Sequence, residues 1–196
     1  MVKIGLTGGI ATGKTTVARM FAELGAATVD ADTVYHEMLA NDAVLVGRIA
    51  AAFGRQYVRA DGLLERAALA RLVFEDAEAL GRLNAITHPA LLKELERRLA
   101  GIQGAARAVV LEAAVLFEMG ADRLCDLVVA TVARPETQVG RLMAKGLGEA
   151  EAWTRVRAQR WDWRARAGYA IDTDVSLPEV RRQVAEVWWR VVGAEA

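Results

Sequence analysis

Gly8-Gly9-Ile10-Ala11-Thr12-Gly13-Lys14-Thr15 satisfies every fixed position of the pattern G-x-x-x-x-G-K-[ST]. Each fixed position has a physical task. The glycines permit backbone angles and a close approach that a Cβ would forbid. Successive N–H groups from Ala11 to Thr15 can then turn inward as an anion nest at a helix N-terminus. Lys14 brings a cation to the β- and γ-phosphates of a nucleotide, and the Thr15 hydroxyl supplies a ligand for Mg²⁺. With Thr16 added, the expected ATP-binding set is Gly8, Gly9, Ala11, Thr12, Gly13, Lys14, Thr15 and Thr16.

The flanks have the context this loop requires. Residues 2–7 are short, apolar and β-rich, and they run straight into the glycines, as a buried parallel strand does. From Lys14 the period changes: Val17, Ala18, Phe21 and Leu24 lie at helical spacing, and Gly25 is a natural stop. Residues 26–29 read as a second strand that delivers Asp30 and Asp32 at its C-terminal end. From Thr33 to Arg107 the chain reads as almost wholly helical, with breaks at Gly54, Asp61-Gly62 and His88-Pro89 and one strand-like stretch at Gln56 to Val58. Such a length exceeds a normal crossover and implies an inserted helical subdomain. Apolar runs at Ala108 to Leu111, ending at Glu112, and at Leu127 to Val132 are of strand length. Pro135 suits the first turn of a helix. Residues 149–167 read as a long, Arg-rich helical segment, Tyr169 to Ile171 as a last strand, and Leu177 to Val192 as a closing helix. The alternation predicts an α/β fold built on a five-stranded parallel sheet with helices on both faces.

Composition limits the functional classes. Of 196 residues 54% are apolar, and 25 basic side chains balance 25 acidic ones, which argues against a protein whose whole surface is a nucleic-acid footprint. Cys125, the single cysteine, excludes an internal disulfide. The first residues reach glycine too soon for a secretion signal, and no apolar run approaches a membrane span. A cytoplasmic, monomeric protein without nucleic-acid or membrane partners is expected.

Two features separate a kinase from a nucleotide switch. The N/T-K-x-D element with which GTPases read guanine does not occur. Acidic groups instead stand where strands open on the ligand side of a parallel sheet. Asp32 can orient an acceptor hydroxyl or hold Mg²⁺ through water, or else cap a helix beginning at Thr33. Asp30 reads better as a cap, and Glu112 is a rival metal-orienting acid. Between Arg134 and Arg166 eight basic residues oppose four acidic ones. That segment suits a lid closing over triphosphate, with Arg141 and Arg157 as candidate catalytic residues beside Lys14 and Asp32. Trp161 and Trp163 can stack on a base or pack the lid, Trp188 and Trp189 suit the core or a partner surface, and His36 and His88 are secondary candidates for substrate contact.

Taken in order, Thr7 to Ile10 with the loop, Val29-Asp30-Ala31-Asp32, Asp61 to Arg66, Leu72-Val73-Phe74, His88-Pro89, Leu116-Phe117-Glu118 and Arg157-Ala158-Gln159 resemble the dephospho-coenzyme A kinase family over nearly the whole chain. The sequence departs from that pattern at Tyr35-His36, at Ala114-Val115 and at Thr173. The resemblance implies a core of the nucleoside-monophosphate-kinase type made of residues 1–33, 107–134 and 168–196. Residues 34–106 would bind the coenzyme and 135–167 would form the lid. It further implies ATP and Mg²⁺ as cofactors, dephospho-coenzyme A as the acceptor phosphorylated on its ribose 3′-hydroxyl, and Asp32 as the catalytic carboxylate and a metal ligand with Thr15. The competing readings are another P-loop kinase, for a nucleoside monophosphate or shikimate, and a regulatory ATPase without an acceptor.

Overall fold

A computed structural model describes residues 1–102, 106–159 and 162–193. The chain forms two compact units, one of Met1–Val29 with Ile102–Ala196 and one of Asp30–Gly101.

The first unit is built on a five-stranded parallel sheet, β1 (Val2–Gly8), β2 (Ala27–Asp30), β3 (Ala108–Glu112), β4 (Leu127–Val132) and β5 (Tyr169–Asp172), in the order β2-β3-β1-β4-β5. β1 is central because its residues are apolar enough to be covered on both faces. Ile4 and Leu6 point to one face, where they meet Val17 and Phe21 of α1 (Lys14–Glu23) and Val180, Val184 and Trp188 of α9 (Leu177–Val192). On the other face Gly5 admits Leu116 and Cys125, since a Cβ there would stand 2.9 Å from one and 3.0 Å from the other. The register places Leu6 beside Glu112 and Gly8 beside Thr131, so the ends of β3 and β4 flank the loop that leaves β1. Trp188 is core, whereas its neighbour Trp189 is exposed.

The second unit packs α2 (Ala31–Asn41), α3 (Ala43–Phe53), α4 (Arg66–Glu75) and α5 (Ala77–Gly101) around Leu45, Ile49, Phe53, Leu69 and Leu83. The stretch at Gln56 is not a sheet strand. Arg55–Tyr57 is a single 3₁₀ turn, and Val58 bridges Leu64 across the Asp61-Gly62 turn.

Two sequence expectations fail. No break occurs at His88-Pro89, for α5 runs through Pro89 as one helix of 25 residues. An interior proline costs about 3 kcal/mol through its lost N–H and its clash with the preceding turn. Here that cost is offset by the buried row Ala79, Leu83, Thr87, Leu91, Leu95 and Leu99, spaced every fourth residue along both halves. Nor is 149–167 one helix. After α6 (Pro135–Met143), α7 (Glu149–Arg157) ends, and a separate turn, α8 (Trp163–Arg166), restarts at Asp162, whose carboxylate accepts from Ala165 N–H. Among the described residues no helix is long and apolar enough to cross a membrane.

On α5, Glu94 accepts from Arg97 and Arg98, and these guanidiniums, Arg97 first, hold its carboxyl at about 2 against an ordinary 4.5. A depressed folded value means stability present above the unfolded value and lost as pH falls through the folded one. Glu94→Gln is therefore expected to cost about 1 kcal/mol near neutrality, the scale of solvent-screened pairs. The gap from the parent should narrow between about pH 5 and about pH 3, as read by urea denaturation; a gap independent of pH would exclude the ionic contribution.

Candidate active site

The phosphate loop leaves β1 with an alternation of backbone hands. Gly8 has φ +147°, Ala11 φ 56° and Gly13 φ 89°, the last as the N-cap of α1. Ala11 is the only non-glycine with positive φ among the described residues, a conformation costing on the order of 1 kcal/mol and concentrated at ligand-binding loops. Gly8 is required for space: a Cβ would lie 2.3 Å from Thr131 Oγ1 and 2.4 Å from the Thr131 carbonyl.

The loop is fastened from beneath by three buried threonines. Thr12 Oγ1 donates to the Gly9 carbonyl at 2.8 Å and lies 2.7 Å from Thr131 Oγ1. Thr173 Oγ1, just beyond β5, donates to the Thr12 carbonyl at 2.8 Å. Arg141 of α6 donates to Thr173 Oγ1 at 2.9 Å, to the Thr173 carbonyl at 2.6 Å and to the Ala11 carbonyl at 3.1 Å. From just beyond α7, Gln159 accepts the Ile10 N–H at 2.7 Å and donates to buried Gln138 at 2.8 Å.

The chemical groups stand on the outer side. Lys14 Nζ lies over the loop, donating to the Gly8 carbonyl at 3.0 Å and the Gly9 carbonyl at 3.2 Å. Thr15 Oγ1 donates to Glu112 Oε1 at 2.9 Å, a hydroxyl–carboxylate pair of hard oxygens. Thr16 is exposed and shares the wall of a cavity of about 460 Å³ with Ala11, Gly13, Arg141, Lys145, Thr173, Val175 and Leu177.

The structure thus gathers Gly8 to Thr16, Glu112 and Arg141 in the sheet-bearing unit. Arg157 is exposed near the end of α7, with its guanidinium 5.0 Å above the ring of Trp153 one turn earlier. Asp32 belongs to the helical unit and does not cap a helix beginning at Thr33. α2 begins at Ala31, and its cap is Asp30, which accepts from Asp32 N–H at 3.0 Å and from the Thr33 hydroxyl at 2.9 Å. The exposed Asp32 carboxylate instead occupies the first turn, where the helix dipole favours negative charge. His36 is exposed, while neighbouring Tyr35 is half-buried, and that burial pushes its hydroxyl upward in pKa despite a bond with Thr87. Trp163 packs beside Gly9, and Trp161 lies outside the described residues.

Sequence reading missed Thr131 and Gln138 as parts of the site, and marked Thr173 and Gln159 only through the family pattern, without a role. The available signal was positional: threonines closing two apolar strands, at the edge where parallel sheets bind ligands.

A nested phosphate loop on the central strand of a parallel sheet, with a lysine over it and a hydroxyl–carboxylate pair beside it, defines a P-loop kinase. The dephospho-CoA kinase family model matches residues 2–179. The dephospho-CoA kinase of Moorella thermoacetica is 42% identical, covering 96% of this chain and 91% of its own. That of Geobacter metallireducens is 44% identical, covering 96% of each. Among solved structures, TT1252 from Thermus thermophilus superposes with a TM-score of 0.82 at 31% identity, covering 96% of each chain. A shikimate kinase from Acinetobacter baumannii, at 20% identity and TM-score 0.55 over 98% of this chain and 93% of its own, shares the fold. The chain belongs to the dephospho-CoA kinase family.

Thr173→Val keeps the shape of a side chain that is 6% exposed but removes an acceptor for Arg141 and a donor to Thr12. It is expected to cost about 1–3 kcal/mol in urea denaturation, the range for an orphaned buried partner. ATP should also stabilise the variant less than it does the parent, because Arg141 and the loop lose their common anchor. Unchanged stability would exclude the brace.

Proposed function

We infer that the protein transfers the γ-phosphoryl group of ATP to the ribose 3′-hydroxyl of dephospho-coenzyme A, giving coenzyme A and ADP. The observation that carries this reading is the complete phosphate loop, with Lys14 above it, in a chain whose family match spans residues 2–179.

In this reading the N–H groups of Ala11 to Thr15 and the α1 N-terminus hold the phosphates. Lys14 exchanges its loop carbonyls for phosphate oxygens and balances their charge. The cavity beside Thr16 and Arg141 takes the adenosine end of ATP, with Val175 and Leu177 as apolar walls. The Thr15–Glu112 oxygen pair fits Mg²⁺, an ion that takes few protein ligands and keeps waters and substrate phosphates. Bound there, the ion would neutralise charge on the phosphate oxygens. No group of three or more His, Cys, Asp or Glu able to hold a metal occurs among the described residues, and a shared site of this kind requires none.

For the acceptor we assign Asp32 as the carboxylate that orients the 3′-hydroxyl and receives its proton as oxygen bonds to phosphorus and ADP departs. The helical unit is our candidate for coenzyme binding, and residues 135–167 for the lid. Arg141, fixed by three hydrogen bonds to the loop and Thr173, holds the nucleotide site in shape. Arg157, exposed on α7, is the lid guanidinium we assign to the transferring phosphoryl group. We take the enzyme to be a cytoplasmic monomer.

The test is to incubate the protein with MgATP and dephospho-coenzyme A, shikimate, gluconate or nucleoside monophosphates, and to follow ADP and product mass. Only dephospho-coenzyme A is expected to be consumed; preference for another acceptor would overturn the assignment. Lys14→Met should abolish transfer and the thermal stabilisation by ATP, with the midpoint of the unliganded protein kept. Asp32→Asn should lower turnover by roughly 10²-fold or more, the scale of a lost general base, with ATP affinity little changed. Turnover within about threefold of the parent would reduce Asp32 to a helix-dipole residue and pass the role to Glu112.

A further inference from the structure

Gly9 is not a fixed position of the phosphate-loop pattern, and its φ lies outside the left-handed region. Backbone hand does not explain it. A Cβ at this position would lie 2.2 Å from Gln159 Oε1 and 3.3 Å from Trp163 Cζ3. Glycine here makes room for an amide arriving from 150 residues along the chain.

That amide forms one link of an ordered chain. The Ile10 N–H donates to Gln159 Oε1 at 2.7 Å. Gln159 Nε2 donates to Gln138 Oε1 at 2.8 Å and to the Val156 carbonyl at 3.0 Å. Gln138, 7% exposed, donates from Nε2 to the Ala133 carbonyl at 2.8 Å, directly after β4. Every hydrogen points away from the loop, so each amide has one permitted orientation. The peptide held in this way, Gly9–Ile10, also carries the Gly9 carbonyl, which accepts from Thr12 Oγ1 and from Lys14 Nζ. Rotation of that peptide would withdraw an anchor from the loop and a partner from its lysine together.

We propose that Gln159 is a positioning residue for phosphoryl transfer, holding the Gly9–Ile10 peptide from the α7 side so that the N–H nest and Lys14 face the nucleotide phosphates. The proposal rests on the assignment of this loop to ATP and adds a residue that touches neither substrate.

Gln159→Glu separates positioning from packing. A neutral carboxyl has the shape and polarity of the amide: its carbonyl accepts from Ile10 and its O–H donates to Gln138. The ionised form has no donor and sets an anion against Gln138 Oε1. The charged groups facing this place are Asp162 and Arg164 near the start of α8, Arg134 before α6, Asp172 at the end of β5, Asp174 just after it, and Lys14 at the Gly9 carbonyl. Arg134 is paired with Asp174 at 2.8 Å, and Arg164 stands 4.0 Å from Asp172. All are common to parent and variant, so the ratio of the two at one pH isolates the substituted carboxyl.

Steady-state transfer with MgATP and dephospho-coenzyme A is measured for parent, Gln159→Glu and Gln159→Ala between about pH 5.5 and pH 8.5. The expected kcat/KM for ATP of Gln159→Glu is within about threefold of the parent at the acid end and at least roughly tenfold lower at the alkaline end, the scale of one lost hydrogen bond. Gln159→Ala, which no proton can repair, should stay roughly tenfold low throughout. A Gln159→Glu ratio constant across pH, at any level, overturns the proposal. If the parent itself transfers nothing to dephospho-coenzyme A, the functional reading fails instead. The clasp is then decided by thermal stabilisation with ATP alone, which should show the same pH-dependent loss for Gln159→Glu and no such loss if the proposal is wrong.

Discussion

A loop that turns a run of backbone N–H groups inward toward an anion cannot use those groups to hold itself together. This constraint governs the site. The loop's carbonyls are fastened by side-chain donors, two from the loop itself and two from outside it: Lys14 to Gly8 and Gly9, Thr12 to Gly9, Arg141 to Ala11, Thr173 to Thr12. Arg141 comes from α6 and Thr173 from just beyond β5, so the loop's shape depends also on the sheet edge around it. The parallel sheet is what makes this possible, because it brings the ends of β1, β4 and β5 to the same side.

The same constraint explains why the polar interior of this protein is confined to one place. Thr7, Thr12, Thr131, Gln138 and Thr173 account for all but one of the buried polar side chains among the described residues, and all lie at the loop or beside it. Buried hydroxyls and amides are costly unless satisfied. Here Thr12 and Thr173 take the loop carbonyls of Gly9 and Thr12, while Thr7, Thr131 and Gln138 bond to the carbonyls of Ala114, Thr7 and Ala133 around it. The remaining one, Thr87, serves the helical unit by donating to the Leu83 carbonyl one turn earlier in α5.

How much of this was legible in the sequence follows from the range of each signal. The loop, β4 and α9 were readable because their signals are local: a spaced motif, an apolar run and a helical period. Asp30 as cap was readable for the same reason, as its bonds reach two and three residues along. The break expected at His88-Pro89 failed because a local proline rule met a buried row extending over both halves of α5. The long helical segment expected over 149–167 is divided because Asp162 restarts the backbone and Gln159 is bound elsewhere. Thr173, a departure from the family pattern, is a brace joining Arg141 to the loop, a role visible only when residues 161 apart in sequence come together. Chemistry at short spacing is written in sequence; support at long range is not.

The close contact beneath Gly5 has a practical corollary. Cys125 is held there under Leu116 and β1, with Sγ 3.6 Å from the Ala121 carbonyl. Burial, with Asp122 and Asp126 nearby, pushes its thiol up to about 12. Only the thiolate reacts with electrophiles or disulfides, and at neutral pH this sulfur holds almost none. The native chain is in effect a cysteine-free background. A cysteine introduced on an exposed face of α7 or α2 can therefore carry a fluorophore or spin label at one defined position without first removing a native residue.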